Sequence, residues 1–253
     1  MMNREEFHRN FKVSGPAVTP VVHVVDDEQI TRNLEIIIGE GAQGVFLINH
    51  DFGVDEFLPL IRNVRDRFPN LWIGLNFLAV TGLKAFPILG QLQSEGCPID
   101  AYWADDARID ERRSPNDQEE AVSITSARLN SDWNGLYFGG TCFKKQRDVP
   151  PEHYGLSASL AADHMDVVTT SGIATGQEAD GSKIEVFREA IGNKPMALAS
   201  GITPENVETY HEVDCFLVAT GINFKGDFYN IDPARLRKLI NVTKTMGGGK
   251  IHG

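Results

Sequence analysis

Short apolar runs alternate with helical patterns along the whole chain. Eight of these runs are apolar at nearly every position rather than at every second one. This pattern is typical of parallel strands that are covered on both faces. The runs span 17–25, 44–49, 71–79, 99–104, 135–141, 166–172, 195–201 and 215–221.

Between the runs, apolar residues recur every three or four positions, as on the buried face of a helix. The sets are Ile30, Leu34, Ile37 and Ile38; Phe57, Leu60, Ile61, Val64 and Phe68; Val122, Thr125, Leu129 and Trp133; Ile184, Phe187 and Ile191; and Leu236, Leu239 and Ile240. A helix near 83–92 is expected to be interrupted at Pro87. Position alone predicts a helix over 151–165, and the one near Val207 and Tyr210 must be short.

Strict alternation of eight strands with about eight helices predicts a single (β/α)₈ (TIM) barrel over residues 1–253. The alternative is an open doubly wound sheet, which carries a glycine-rich turn after its first strand. Here that strand ends VVHVVDDEQ, without glycine. Residues 1–15 are expected to flank or plug the bottom of the barrel, and the tail 246–253 to be mobile.

Composition and charge narrow the function classes. Hydrophobic residues make up 42% of the chain and charged residues 23%, as in ordinary globular proteins. The net charge of −11 disfavours nucleic acids and anionic membranes as partners, and no apolar run is long enough to span a bilayer. Three cysteines without metal-ligand spacing, and a first segment without a signal-peptide core, predict a soluble cytoplasmic protein.

The last two predicted strands end in matching SG and TG pairs. In a TIM barrel the active site lies at the carboxyl ends of the strands, and loops seven and eight often bind phosphate. Backbone amides there, together with the start of a short helix, can hold an anion without a basic patch. The alternative is that both glycines only permit tight turns. The predicted phosphate site comprises Ser200, Gly201, Ile202, Thr220, Gly221 and Ile222.

Other polar residues at strand ends are candidates for catalysis: His23, Asn76, Asp51 and Lys144. Lys144 is interpreted as a ligand contact, with a Schiff base as the alternative. His23 is equally a candidate core histidine. A Mg²⁺ site at Asp26, Asp51, Asp105 and Asp106 is one alternative for the carboxylates. Helix caps and ion pairs are the other.

The sixth loop is rich in glycine and is interpreted either as a lid over the ligand or as a flexible surface loop. Its candidate substrate contacts are Ser171, Gly172, Thr175 and Gly176.

The stretches SGIATG (171–176), ASGITPENV (199–207), DCFLVATGI (214–222) and IDPARLRKLI (231–240) resemble the BtpA family of (β/α)₈ barrels. The resemblance implies a fold like that of phosphate-binding barrels, family positions at His23, Asn76 and Lys144, and a link to photosystem I biogenesis in phototrophs. The chain departs from the family at His50-Asp51, at Ala79 and at Thr141-Cys142, where the family carries other polar groups.

Three functions remain open at this point. The first is an enzyme, a lyase, isomerase or transferase, that acts on a small phosphorylated metabolite of the sugar-phosphate or phosphoribosyl type. The second is a non-catalytic assembly factor of the BtpA type, for which the altered family positions argue. The third is a Schiff-base aldolase that uses Lys144. Each is compatible with a homo-oligomer, and none requires a cofactor other than the Mg²⁺ already considered.

Overall fold

The computed structural model describes residues 2–144, 146–172 and 177–247. Eight parallel strands close into a barrel in the order in which they occur in the chain. They are β1 (Ala17–Val24), β2 (Val45–Asn49), β3 (Ile73–Phe77), β4 (Ala101–Ala104), β5 (Leu136–Gly140), β6 (Val167–Ser171), β7 (Met196–Ala199) and β8 (Cys215–Val218). This confirms the predicted (β/α)₈ barrel.

Eight α-helices lie within the described residues. They are α1 (Arg4–Phe11), α2 (Asp27–Gly39), α3 (Val54–Arg67), α4 (Gly82–Ser94), α5 (Glu119–Asn130), α6 (Tyr154–Ala162), α7 (Gly181–Ile191) and α8 (Pro233–Met246). Short 3-10 helices cover Pro151–His153, Val207–Tyr210 and Thr220–Ile222. The seventh strand is therefore followed by a single 3-10 turn, as its short sequence predicted.

Two apolar clusters account for the near-continuous burial of the strands. The larger one lies between the strands and the surrounding helices, and includes Val22, Leu47 and Leu75. The smaller one fills the barrel interior with alternate residues such as Val21, Phe46 and Trp103. Because both faces of each strand are covered, the sequence shows runs instead of alternation.

Helix α1 contributes to the interior cluster. Its Phe7 and Phe11 are buried among residues at the amino ends of the strands, including Ala17 and Cys215. The helix starts with a capping box, in which Asn3 and Glu6 each accept a backbone amide of the other. No helix was predicted here, because only two apolar positions mark its buried face.

Three details of the helix predictions are wrong. Ile38, predicted on the buried face of α2, is 47% exposed. Pro87 does not interrupt α4, which runs through it with Phe86 and Leu89 buried on either side. Helix α5 buries Ala121 and Ile124 instead of the predicted face. Val122 is 51% exposed and Leu129 75% exposed. The small side chain of Ala121, which is 1% exposed, contributes little to the hydrophobic pattern that the prediction used.

Candidate functional site

A cleft opens at the carboxyl ends of the strands. We call it the inner cleft. One wall is formed by the turns after β7 and β8, from Ser200 to Ile202 and from Ala219 to Gly221. The rest of the lining includes His23, Trp103, Asp105 and Lys144. Both sets of residues therefore line one cavity, at the end of the barrel where active sites of TIM barrels lie.

Four backbone amides distinguish the β7–β8 wall. Those of Gly201, Ile202, Thr220 and Gly221 have no backbone acceptor within the described part of the chain. Ile222, also predicted as a phosphate ligand, differs from them. Its amide donates to the Ala219 carbonyl at 3.0 Å and its side chain is fully buried. The 3-10 helix that contains it has three residues, which is too short to supply a helix dipole.

Both glycines of this wall pack against other loops. A Cβ on Gly201, whose φ is +70°, would clash with the Gln177 carbonyl, and one on Gly221 would clash with the Ile202 carbonyl. Ser200 also has a positive φ, +96°, and its Oγ accepts the Gly172 amide at 3.2 Å. The glycines therefore let the described parts of loops six, seven and eight pack closely together beside the cleft.

The floor of the inner cleft is polar at two points. Trp103 is 5% exposed, and its Nε1–H has no acceptor among the residues described. Asp105 receives a hydrogen bond from Asn76 Nδ2 at 3.2 Å. Asn76 is itself buried and does not line the cleft. Asn76, predicted to be catalytic, thus orients the Asp105 carboxylate. The Trp103 indole N–H, which lacks an acceptor among the described residues, belongs to the lining of the same cleft.

Lys144 reaches the cleft from the turn after β5. Its backbone amide donates to Ser171 Oγ at 2.9 Å, and Ser171 Oγ in turn donates to the Gly172 carbonyl at 2.8 Å. Ser171 is completely buried. The hydroxyl predicted to contact substrate therefore fixes the backbone of Lys144 instead.

A second lysine, Lys183 of α7, supports the same strand ends. Its Nζ donates to the carbonyls of Cys142 at 2.6 Å and Ser171 at 2.9 Å. Burial lowers the pKa of Lys183 to about 8, and burial also raises the pKa of the Cys142 thiol, which stays protonated. Sequence reasoning missed Lys183, because a lysine in a helix ordinarily lies in solvent.

Loop eight covers the first strand. Residues 223–231 fold back on themselves through the Asn223–Ile231 bridge, and the ring of Phe228 stacks on His23 at 3.8 Å between centroids. Tyr229 anchors this loop, because its carbonyl accepts hydrogen bonds from Gln29 and Asn33 of α2.

Asp51 lies outside the lining of the inner cleft. It is exposed and bonds the Tyr229 hydroxyl at 2.9 Å and His50 Nδ1 at 3.2 Å. These two hydrogen bonds, that of His50 first, lower the pKa of the carboxyl. The structure places this predicted catalytic residue at the outer edge, where it holds loop eight.

The aspartates considered for Mg²⁺ have separate partners. Asp26 caps α2, Asp106 pairs with Arg108 at 3.4 Å, and Asp51 bonds Tyr229. Across residues 2–144, 146–172 and 177–247, no three His, Cys, Asp or Glu side chains come together as a metal cluster.

Thr175, Gly176 and most of the predicted tail, 248–253, lie outside the described residues. None of the described helices is long and apolar enough to cross a membrane.

Several solved structures have folds similar to this one. Tryptophan synthase subunit alpha from Legionella pneumophila matches with a TM-score of 0.65 at 15% identity, covering 97% of this chain and 100% of that one. Phosphoribosyl anthranilate isomerase from Thermus thermophilus gives 0.56 at 14%, covering 89% and 96%. The native KDPGal structure gives 0.60 at 8%, covering 90% and 95%. At these identities the likeness concerns the fold alone.

Two sequence matches are more local. A stretch of 54 residues is 33% identical to cyclic dehypoxanthine futalosine synthase of Halalkalibacterium halodurans, covering 20% of this chain and 15% of that protein. The chain thus spans a small part of that relative's length. Residues 155–245, which include loops six to eight, match the model of the BtpA family. The family resemblance predicted from the sequence motifs is thereby confirmed over residues 155–245.

Proposed function

We propose that this barrel binds a small phosphorylated metabolite in the inner cleft, with the phosphate on the β7–β8 wall. The observation that carries the proposal is the group of four amides without backbone acceptors, those of Gly201, Ile202, Thr220 and Gly221. Amides that converge on one cavity are a common way to bind phosphate without basic side chains. They suit a chain whose net charge is −11.

Other residues that line the inner cleft supply groups that can act on the rest of the ligand. Asp105 offers a carboxylate, Lys144 an ammonium and His23 an imidazole, all lining the same cavity. Such groups transfer protons and stabilise developing charge in lyases and isomerases. We therefore propose proton-transfer chemistry at Asp105 and Lys144, with Asn76 as a positioning residue. The name of one fold neighbour, phosphoribosyl anthranilate isomerase, contains the same ligand class.

Thr220 offers the sharpest test, because it lines the cleft while its side chain is exposed. We expect Thr220→Asp to weaken binding of inorganic phosphate and ribose 5-phosphate by at least about tenfold, since the new carboxylate repels the phosphate. Isothermal titration calorimetry measures the dissociation constants. Thr220→Asn is the matched control, because asparagine has nearly the same shape as aspartate but no charge. Its dissociation constants should stay close to those of the wild type.

Either of two results would overturn the proposal. One is wild-type protein that binds neither inorganic phosphate nor ribose 5-phosphate. The other is a Thr220→Asp variant that binds them as well as Thr220→Asn does. Equal melting temperatures in thermal unfolding would show that the two variants fold alike. The measurement is made without ligand, because a ligand that binds only the folded state raises the melting temperature by itself.

A further inference from the structure

The β7–β8 wall has a second accessible side. Gly201, Ile202, Thr220 and Gly221 also line a groove between loops seven and eight. We call it the outer groove. Its remaining lining includes Thr203, Asn223, Phe224, Lys225 and Arg235. An anion bound to the shared amides would therefore border on both cavities. A ligand that ends at this phosphate would fill the inner cleft and leave the outer groove empty.

The outer groove carries an available positive charge. Lys225 is exposed and forms no ion pair with any described residue. Arg235 is more committed, since its Nε donates to the Gly221 carbonyl at 2.9 Å and its guanidinium pairs with Glu205 at 3.2 Å. The carboxylate of Asp227 accepts the amides of Tyr229 and Asn230. Lys225 is thus the cation best placed to meet a second anionic group.

A buried acceptor in the same groove lacks a donor. Asn223 is 4% exposed, and its Oδ1 accepts no hydrogen bond from the described part of the chain. A buried carbonyl oxygen left without a donor destabilises the folded protein, because it has lost its hydrogen bonds to water. Since Asn223 lines the groove, an N–H or O–H of a bound ligand would remove this cost.

The groove also exposes an aromatic ring. Phe224 is 49% exposed, although large aromatic side chains are usually buried in proteins of this size. The face of a phenyl ring is a platform for a flat heterocycle. A cation, an unpaired acceptor and an exposed ring therefore lie together beside the predicted phosphate site.

We propose that the outer groove binds the nucleoside part of a nucleoside diphosphate-type ligand, which rests on the phosphate site proposed above. One phosphate lies on the shared amides and the other against Lys225. The base packs on Phe224, and a base or sugar donor reaches Asn223 Oδ1. The group joined to the amide-bound phosphate occupies the inner cleft, where Asp105 and Lys144 act on it.

A series of three probes separates these contacts: inorganic phosphate, pyrophosphate, and the nucleoside diphosphates ADP and UDP. We expect affinity for the wild-type protein to rise by about tenfold at each step of the series. Lys225→Met should remove the gain from phosphate to pyrophosphate. Phe224→Ala should remove the gain from pyrophosphate to nucleoside diphosphate. Neither side chain lines the inner cleft, so binding of inorganic phosphate should stay unchanged in both variants.

The outcomes distinguish the two proposals. If ADP and UDP bind no more tightly than inorganic phosphate, or if their affinity is unchanged in both variants, the outer-groove proposal is wrong while the phosphate site stands. If inorganic phosphate itself fails to bind the wild type, both proposals fall together. Thr220→Asp, which places a charge on the shared wall, should weaken every member of the series.

Discussion

Single residues at the mouth of the barrel take their roles from the polar groups they meet. Ser171, Asn76 and Asp51 all stand at strand ends, where the sequence predicted contacts with substrate. The structure uses their side chains to hold Lys144, Asp105 and loop eight respectively. Trp103 and Phe228 line the cleft without having been predicted. Which polar atoms are already paired depends on neighbours that are distant in sequence.

Lys183 gives a residue-scale prediction about pH. Its pKa is about 8 in the folded protein, below the 10.5 of a free lysine, so the unfolded chain binds more protons between these values. The free energy of unfolding should therefore rise as pH increases from about 8 to about 10, and the cost of burying the charge should be complete below pH 8.

Urea unfolding at several pH values measures this effect. Lys183→Met should lack the rise, because it has no group to titrate at that position. Lys84→Met, which removes an exposed lysine of α4, is the control and should keep the wild-type pH dependence. Parallel curves for the wild type and Lys183→Met would contradict the assignment.

At the scale of elements, strands were predicted more accurately than helices. Each predicted strand overlaps an observed one, with β7 at Met196–Ala199 inside the predicted 195–201 and β5 at Leu136–Gly140 inside 135–141. Helix α5 was assigned the wrong face and α1 was missed. A helix buries only one stripe, so a single small residue or a short length obscures its pattern, whereas a strand covered on both faces is apolar throughout.

Asp214 joins three elements at the bottom of the barrel. Its buried carboxylate receives hydrogen bonds from Arg4 of α1, from Arg188 of α7 and from the Met196 amide of β7, the first two at 2.7 Å. Burial raises its pKa, but the contact with His8 and the charges of Arg188 and Arg4 outweigh burial, so the net pKa is lowered.

We expect Asp214→Asn to lower the free energy of unfolding by about 3–5 kcal/mol, because it leaves buried guanidinium charge unpaired. Since the native pKa is depressed, the stabilisation is present above the ordinary aspartate pKa of about 4 and is lost as pH falls below it. Chemical denaturation at neutral and acidic pH measures both effects. Asp117→Asn, at an exposed pair with Arg113, is the control, and an equally small change in both variants would count against this network.

At the scale of the whole molecule, the closed barrel depends on a filled interior. Phe7 is fully buried and meets Phe138 edge-on, with ring centroids 6.2 Å apart. Helix α1 thereby closes the end of the barrel opposite the inner cleft. No residue of α1 lines the inner cleft or the outer groove. We therefore expect substitutions in α1 to change stability without changing ligand binding.

Phe7→Ala should lower the free energy of unfolding by about 3–5 kcal/mol, since it leaves a cavity at the barrel bottom. Binding of inorganic phosphate by the folded fraction should be unaffected. Phe224→Ala, at an exposed ring of similar size, should change stability by less than about 0.5 kcal/mol. Guanidinium denaturation of both variants decides this, and equal losses of stability would refute the role of α1 as a plug.

The sequence by itself determined the order of strands and helices, the parallel closed barrel, and the end of the barrel where polar and glycine-rich turns gather. These follow from local patterns, because hydrophobic runs and turn residues act over a few neighbouring positions. Only the tertiary structure decided which buried side chains face the interior, since runs covered on both faces do not distinguish Trp103 from Tyr102. It also decided which donors and acceptors remain for a ligand: the amides of Gly201, Ile202, Thr220 and Gly221 have no backbone acceptor among the described residues, whereas the Ser171 hydroxyl is bonded. Pairing is a property of groups brought together from distant parts of the chain, and no local pattern contains it.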